Sequence, residues 1–172
     1  MAIVHEPARV LRERAATLAR PAEAEPDRRG LTDVVVLSVG TERYGIEVSH
    51  VAEVLADRGI TPVPGTPPFV LGVLHHRGRI LTVLDLGRLL DVPTEEGAAR
   101  RIVVVHAAGV TLGIAGETVT GPRAVAVAPA PATLAVDRGG AHVLGVTTDR
   151  VALLDLETLT VDPRIRVDDE AE

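Results

Sequence analysis

The segment VLGVLHHRGRILTVLDLGRLL, residues 70–90, is the part of this sequence that decides the fold. Two apolar runs flank Arg77 and Gly78, and a dipeptide with glycine between two such runs is typical of a tight hairpin turn. An Asp and a short apolar run of helical character follow. The predicted elements are a strand over 71–76, a strand over 79–84 and a short helix near 86–90.

A trimmed copy of this segment, VLGVTTDRVALLDLETL, occupies residues 143–159. Further pairs of residues recur at a similar spacing along the chain. These are Gly40 and Gly109, which are 69 residues apart, Gly72 and Gly145, which are 73 apart, and Asp85 and Asp155, which are 70 apart. A repeat of this length predicts two similar small β-barrels, which should pack together because neither buries enough apolar surface alone.

The composition favours short strands and excludes several classes of protein. Val, Leu, Ile and Ala supply nearly all of the 46% apolar residues, and Tyr44 and Phe69 are the only aromatic residues among 172. The net charge is −6, which disfavours a nucleic-acid-binding barrel, since such a barrel needs basic surface and stacking rings. The absence of cysteine excludes disulfides and thiolate metal sites. Without a long apolar run or a signal-peptide pattern, we expect a cytoplasmic protein.

Several segments lie outside the predicted hairpins. Residues 3–20 should form a helix whose apolar stripe, with Leu11, Ala15 and Leu18, packs on the protein's own barrel or on a partner. Residues 21–30 are Pro-rich and charged, which indicates a linker. The other connections are a short helical or irregular piece over 49–55 capped by Ser49, a stiff Pro-rich stretch over 62–68, a break over 91–99, a loop over 129–140 and an acidic tail over 168–172.

No motif of a metal or nucleotide site is present in the sequence. The six histidines lack the spacing of a chelating pair, and His75 and His76 are neighbours on a predicted strand, so they should point to opposite faces. No glycine-rich phosphate loop occurs either. We therefore expect neither a metal nor a cofactor.

Asp85 and Asp155 occupy matching positions of the two repeats and leave one catalytic interpretation open. Paired carboxylates in one cleft could act as acid and base in a small hydrolase or transferase. Each Asp, however, follows an apolar strand and precedes an apolar turn of helix, where Asp is a good N-cap. Capping is the favoured interpretation, and the enzyme is kept as the alternative function.

Arg77 also has two interpretations. It is a solvated turn residue, or it is a presented cation that pairs with a carboxylate of a partner or with the chain's own Glu53. Val51 and Glu53 place an apolar contact next to a charge in the short VAEVL piece. Their alternative interpretation is a core valine beside a solvated glutamate.

The stretches RYGIEVSHVAEVL and ITPVPGTPPFVLGVLHHRGRILTVLDLGRLL together resemble the CheW-like domain of bacterial chemosensory adaptors. The second half, with RIVVVHAAGVTLGI and HVLGVTTDRVALLDLETL, resembles the second barrel of that family. The resemblance covers residues 32–160. It implies an all-β fold of two intertwined five-stranded barrels of the Src-homology-3 type, with the N-terminal helix outside them.

The expected domain boundaries follow from this resemblance and from the composition. They are an N-terminal helix and linker over 1–30, a CheW-like domain over 31–162 with a first barrel over about 31–93 and a second over about 98–160, and an acidic tail over 163–172.

The resemblance implies a scaffold without catalytic activity. Family members link the signalling tips of chemoreceptors to the histidine kinase CheA, whose regulatory domain has the same fold, and other CheW-like domains are further expected partners. Neither nucleic-acid binding nor membrane insertion is implied. The positions that match the family's partner-binding residues are Val51, Glu53, Arg77 and Gly78.

His75 and His76 stand where the family usually has Asn-Leu, directly before the Arg-Gly turn. The second repeat lacks this turn and has Asp149-Arg150-Val151 in a shorter connection. Because changes at the rim of an interface alter the choice between related partners, we expect His75 and His76 to bind a partner and to tune specificity.

Overall fold

The computed structural model describes residues 29–97, 99–130 and 142–165, and this part of the chain is mostly β-strand. The predicted helix of residues 3–20, nearly all of the linker and of the loop over 129–140, and the tail over 168–172 lie outside the described residues. The strands are β1 (Leu31–Val39), β2 (Glu42–Glu47), β3 (Val51–Ala56), β4 (Val70–His76), β5 (Arg79–Asp85), β6 (Arg101–Ala107), β7 (Val110–Gly116), β8 (Thr118–Pro129), β9 (Val143–Thr147) and β10 (Ala152–Leu154), and the helices are α1 (Leu86–Leu89) and α2 (Leu156–Thr160).

The two halves of the chain exchange strands. One sheet is a closed barrel in the order β1-β2-β10-β9-β8. The other is a five-stranded sheet in the order β3-β6-β7-β5-β4, and the name second barrel now refers to this sheet and not to residues 98–160. The parallel pairs β2–β10 and β5–β7 join the two halves of the chain. The predicted pair of intertwined five-stranded barrels is confirmed. The barrel boundaries over 31–93 and 98–160 are wrong, because β1 and β2 complete a sheet whose other three strands come from the second half.

Apolar clusters fill both sheets and the space that they share. The interior of the closed barrel contains Val34, Val36, Val125, Val151 and Leu153, and that of the second barrel contains Leu74, Val83, Ile102 and Ala115. The largest cluster takes residues from both sheets, including Leu37 of β1 and Val103 of β6. Strands β1 and β6 therefore bury both faces, which explains their unbroken apolar runs VVVL and IVVV.

The short helical piece expected over 49–55 is wrong. A 3-10 turn, Val48–His50, is followed directly by β3, and Ser49 lies inside that turn without capping it. Strand β3 pairs with β6 and alternates half-buried with exposed residues. The β-branched valines of this segment suit a strand, and the free edge of β6 supplies the hydrogen bonds that a sequence window does not show.

The central hairpin and its flanks agree with the sequence. Strands β4 and β5 pair around Arg77 and Gly78, and α1 follows β5. The Pro-rich stretch before β4 is irregular, and Thr61, just ahead of it, forms an isolated bridge with Val73 of β4 through backbone hydrogen bonds of 2.8 and 2.9 Å. Gly72 permits this approach, since a Cβ there would lie 2.1 Å from the Thr61 carbonyl oxygen.

A partly buried ionic cluster follows α2. The Asp162 carboxylate lies 2.8 Å from Nε2 of His142 and accepts a 2.7 Å hydrogen bond from Nη2 of Arg164. Hydrogen bonds from the Arg164 guanidinium are the main reason why the pKa of Asp162 falls from 3.8 to about 2. Asp162 and His142 are both buried, so the cluster fastens the chain after α2 to the start of β9.

Replacing Asp162 with Asn should lower the free energy of unfolding by about 2 kcal/mol at neutral pH, because the carboxylate has a lowered pKa only in the folded state. The stabilisation is complete above the unfolded pKa and is lost as pH falls towards the folded value of about 2. Urea denaturation at pH 7 and at pH 3 measures the effect. The gap between wild type and Asp162→Asn should be smaller at pH 3, and an equal gap at both values would contradict the assignment.

Candidate partner-binding surface

The β4–β5 turn presents Arg77 to solvent. Arg77 and Gly78 have φ of 50° and 76°, and positive φ at both central positions is what a type I′ hairpin turn requires. The Arg77 side chain is 76% exposed. The two strands of this hairpin have seven residues each, whereas β9 and β10 have five and three. The turn of the first repeat therefore extends further from its barrel than its counterpart in the second repeat.

Glu53 joins the two edges of the second barrel. Strands β3 and β4 are the end strands of this sheet, and Oε1 of Glu53 on β3 lies 2.7 Å from Nε2 of His76 on β4. The other carboxylate oxygen accepts a 3.1 Å hydrogen bond from Nη2 of Arg77. Glu53 and His76 are each 23% exposed, so their contact is far less solvated than the Arg77 side chain. The chain's own Glu53 is thus a partner of Arg77, as one of the two interpretations required.

A depression of about 200 Å³ lies beside these residues at the mouth of the second barrel. Its floor is apolar, with the buried side chains of Leu81 and Val104. Ala52, Arg79 and Thr111 contribute to its rim. None of these five residues is among the predicted site residues. The alternation of β5 is the signal that could have found Arg79, since it places Arg79 and Leu81 on one face of the strand.

Three of the six predicted site residues line this depression, and the other three lie outside its lining. Glu53, His76 and Arg77 come together at the mouth of the second barrel, and Gly78 completes the turn. Val51, at the start of β3, is partly buried against the cluster shared by the two sheets. The remaining residue, His75, is exposed beside Ile80, with which it pairs across the hairpin.

Asp85 and Asp155 cap separate helices. Oδ1 of Asp85 accepts a 3.0 Å hydrogen bond from the backbone N–H of Arg88, and Oδ1 of Asp155 accepts one of 3.1 Å from Thr158. Asp85 is also buried and lies 3.3 Å from Nη2 of Arg100. The small pocket that Asp85 lines does not include Asp155. The capping prediction is confirmed, and the hydrolase or transferase that needed both carboxylates in one cleft is ruled out.

Metal-binding groups of side chains and membrane-spanning helices are both absent from the described residues. In residues 29–97, 99–130 and 142–165, no three His, Asp or Glu side chains are grouped so that they could hold a metal ion. No helix within this part of the chain is long and apolar enough to cross a membrane.

Two interlocked β-barrels with a charged hairpin at one mouth define a protein-interaction module. The family model of the CheW-like domain matches residues 33–163, and the chain belongs to the CheW-like domain family. The predicted family is therefore confirmed on a match that covers nearly the whole described part.

Known proteins agree with this assignment. Protein FrzA of Myxococcus xanthus is 36% identical over 127 residues, which cover 73% of this chain and 77% of FrzA. The chemotaxis protein CheW of Thermotoga maritima is 29% identical over 89 residues, which cover 52% of this chain and 59% of that protein. The crystal structure of the scaffolding protein TtCheW from Thermoanaerobacter tengcongensis matches with a TM-score of 0.66 at 28% identity, covering 75% of this chain and 92% of TtCheW. The chain is thus a CheW-like scaffold of chemosensory signalling and not an enzyme.

Alanine substitutions at the two capping residues should lower the free energy of unfolding by different amounts. Asp155→Ala removes one half-exposed cap and should lower the free energy of unfolding by about 1 kcal/mol. Asp85→Ala should cost about 3 kcal/mol, because it also leaves the partly buried Arg100 without its carboxylate. Urea denaturation followed by circular dichroism gives both values. Equal losses at the two sites would show that the contact with Arg100 contributes nothing.

Proposed function

We propose that this protein couples chemoreceptors to a CheA-type histidine kinase in the cytoplasm, by binding alone. The expected partners are the signalling tip of a methyl-accepting chemoreceptor and the regulatory domain of the kinase. Membership of the CheW-like family supports this general role. The observation that carries the proposal is Arg77, which is 76% exposed on a hairpin that only the first repeat extends.

The geometry around Arg77 suits a partner contact. Glu53 accepts a hydrogen bond from the guanidinium and is itself held by His76, so the Arg77 side chain is oriented before any partner arrives. A side chain that is already ordered loses less conformational freedom on binding. Because an exposed ion pair contributes little to folding stability, the contact between Glu53 and Arg77 is better explained by orientation than by stability.

An adaptor must hold two partners at once, and the two barrels offer separate surfaces for this. A kinase regulatory domain of the same fold would pack barrel against barrel over a broad area, as preformed signalling domains commonly do. A receptor tip made of helices presents side chains one by one to a smaller recess. We assign Val51, Glu53, His75, His76, Arg77 and Gly78 to partner binding on these grounds.

Arg77→Ala should leave folding intact and weaken assembly. The guanidinium is mostly in solvent, so its loss should hardly change the urea midpoint, whereas affinity for the partner that it contacts should fall about tenfold. Sedimentation of the ternary complex with receptor fragment and kinase measures assembly. Arg101→Ala, an exposed arginine at the start of β6, is the matched control. Undiminished assembly of Arg77→Ala would remove the role given to Arg77.

His75 and His76 should have separable effects on partner choice. His75→Asn changes an exposed side chain and should alter the preference between cognate and non-cognate receptors without affecting stability. His76→Leu removes the 2.7 Å contact with Glu53 and should weaken binding to every receptor that depends on the oriented Arg77. Pull-down with a panel of receptors distinguishes the two effects. If both variants keep the wild-type order of preference, the histidines do not set specificity.

A further inference from the structure

We propose that the outer half of the β4–β5 hairpin, residues 74–82, is a hinged flap whose position is set by Glu53. The flap consists of the end of β4, the Arg77-Gly78 turn and the start of β5. Its base is fixed by backbone hydrogen bonds, whereas its tip is held by side-chain contacts with β3. This inference goes beyond the proposed function, because it concerns a motion of the fold and holds whatever partner binds the hairpin.

Backbone hydrogen bonds to neighbouring strands end at the base of the flap. On one side, β5 pairs with β7 only at residues 83–85. On the other side, Val73 of β4 pairs with Thr61. Beyond these points, among the residues that the structure describes, β4 and β5 pair only with each other. A hairpin fixed at one end can turn about a few residues near that end without breaking its own ladder of hydrogen bonds.

The β9–β10 hairpin of the second repeat lacks such a free end. Thr147, the last residue of β9, pairs with Val127 of β8, and Ala152, the first residue of β10, pairs with Tyr44 of β2. Both strands are therefore hydrogen-bonded to their outer neighbours as far as the turn. The difference follows from length, since β4 and β5 have seven residues each and β9 and β10 have five and three.

The Glu53 carboxylate holds the tip of the flap against β3. Its Oε1 lies 2.7 Å from Nε2 of His76, and its Oε2 accepts a 3.1 Å hydrogen bond from Nη2 of Arg77. Glu53 itself belongs to the fixed part of the sheet, because β3 pairs with β6. Within the described part of the chain, no backbone hydrogen bond joins β3 to β4. The carboxylate therefore stands where a closed barrel would have ladder hydrogen bonds.

Apolar packing favours the closed position of the flap without fixing it. Leu74 and Leu81 pair across the hairpin and are 7% and 4% exposed, so the inner face of the flap is buried. Ile80 on the outer face is 72% exposed, so the described residues leave that face uncovered. The depression of about 200 Å³ lies between the flap and β3, with Leu81 and Val104 in its lining. Because side chains do not fill this space, the contacts of Glu53 weigh measurably in the balance between closed and open positions.

Release of the flap would move Arg77 away from β3. The guanidinium would follow the hairpin, and Leu81 and Val104 would become more accessible to solvent. The movement breaks no ladder hydrogen bond but uncovers buried leucine side chains. Collective motions of this kind occur in microseconds to milliseconds. Glu53 therefore controls how far from the sheet Arg77 is presented.

Four variants test the flap without any partner. His76→Leu removes the 2.7 Å contact and keeps an apolar side chain, whereas His76→Gln keeps a donor that can reach Glu53. Glu53→Ala removes both contacts of the carboxylate and serves as the second release variant. Arg123→Gln is the matched control, because it removes the 2.6 Å ion pair with Asp149 at the mouth of the closed barrel. Circular dichroism checks folding, and amide order parameters with relaxation dispersion then measure motion at each residue.

We expect His76→Leu to raise the population of the open flap about fivefold, which is the weight of a partly exposed charge contact. Glu53→Ala should raise it further. The added motion should be confined to residues 74–82, while residues 83–85 keep the wild-type values. His76→Gln should resemble the wild type. Arg123→Gln should leave the closed barrel unchanged, because both strands of its hairpin remain paired to their neighbours.

Unchanged motion of residues 74–82 in both release variants, on both timescales, would overturn the flap. Added motion spread evenly over the two sheets would also overturn it, since it would show a general loosening of the fold. If His76→Gln moved as much as His76→Leu, the contact with Glu53 would not be the cause. None of these results bears on the proposed function, which is tested separately by the assembly of Arg77→Ala with its partners.

Discussion

The shared apolar cluster between the two sheets is the constraint on which the rest of the structure depends. Strands β1 and β6 contribute side chains to a barrel interior from one face and to the shared cluster from the other. Because each sheet is completed by strands from the other half of the chain, neither barrel can form before both halves are present. The same exchange brings β3 and β4 to the edges of one sheet, where Glu53 meets His76 and Arg77.

Duplication followed by divergence explains how one repeated structural unit provides both folding and binding. Both repeats keep the glycines, the hairpins and the Asp caps that form the barrels. The contact between a strand and the following hairpin turn is also kept, but its polarity is reversed, with Glu53 and Arg77 in one repeat and Arg123 and Asp149 in the other. In both repeats these charges pair with each other, and in the first repeat the longer hairpin also carries Arg79, which has no partner among the described residues. Features that both repeats share are therefore explained by folding, whereas features of the first repeat alone are the candidates for partner binding.

Local signals explain which predictions were right. The Arg-Gly turn, the two flanking strands and the Asp caps depend on residues within a few positions of one another, and each is present as predicted. The piece over 49–55 was predicted wrongly because its strand character comes from pairing with β6, some fifty residues later. The barrel boundaries were wrong for a similar reason, since a repeat in sequence does not state which copy a strand pairs with.

By itself, the sequence determined the central hairpin with its turn residues, the Asp caps, the duplication and the family, because turn chemistry, apolar periodicity and capping act over short distances. The tertiary structure alone decided the exchange of strands, the meeting of Glu53 with His76 and Arg77, and the recess with Arg79 at its rim. These features join residues that are far apart in the sequence, up to 108 positions in the case of Tyr44 and Ala152, which pair across β2 and β10. Their geometry follows from how two sheets pack around one core, and no short window of sequence contains that information.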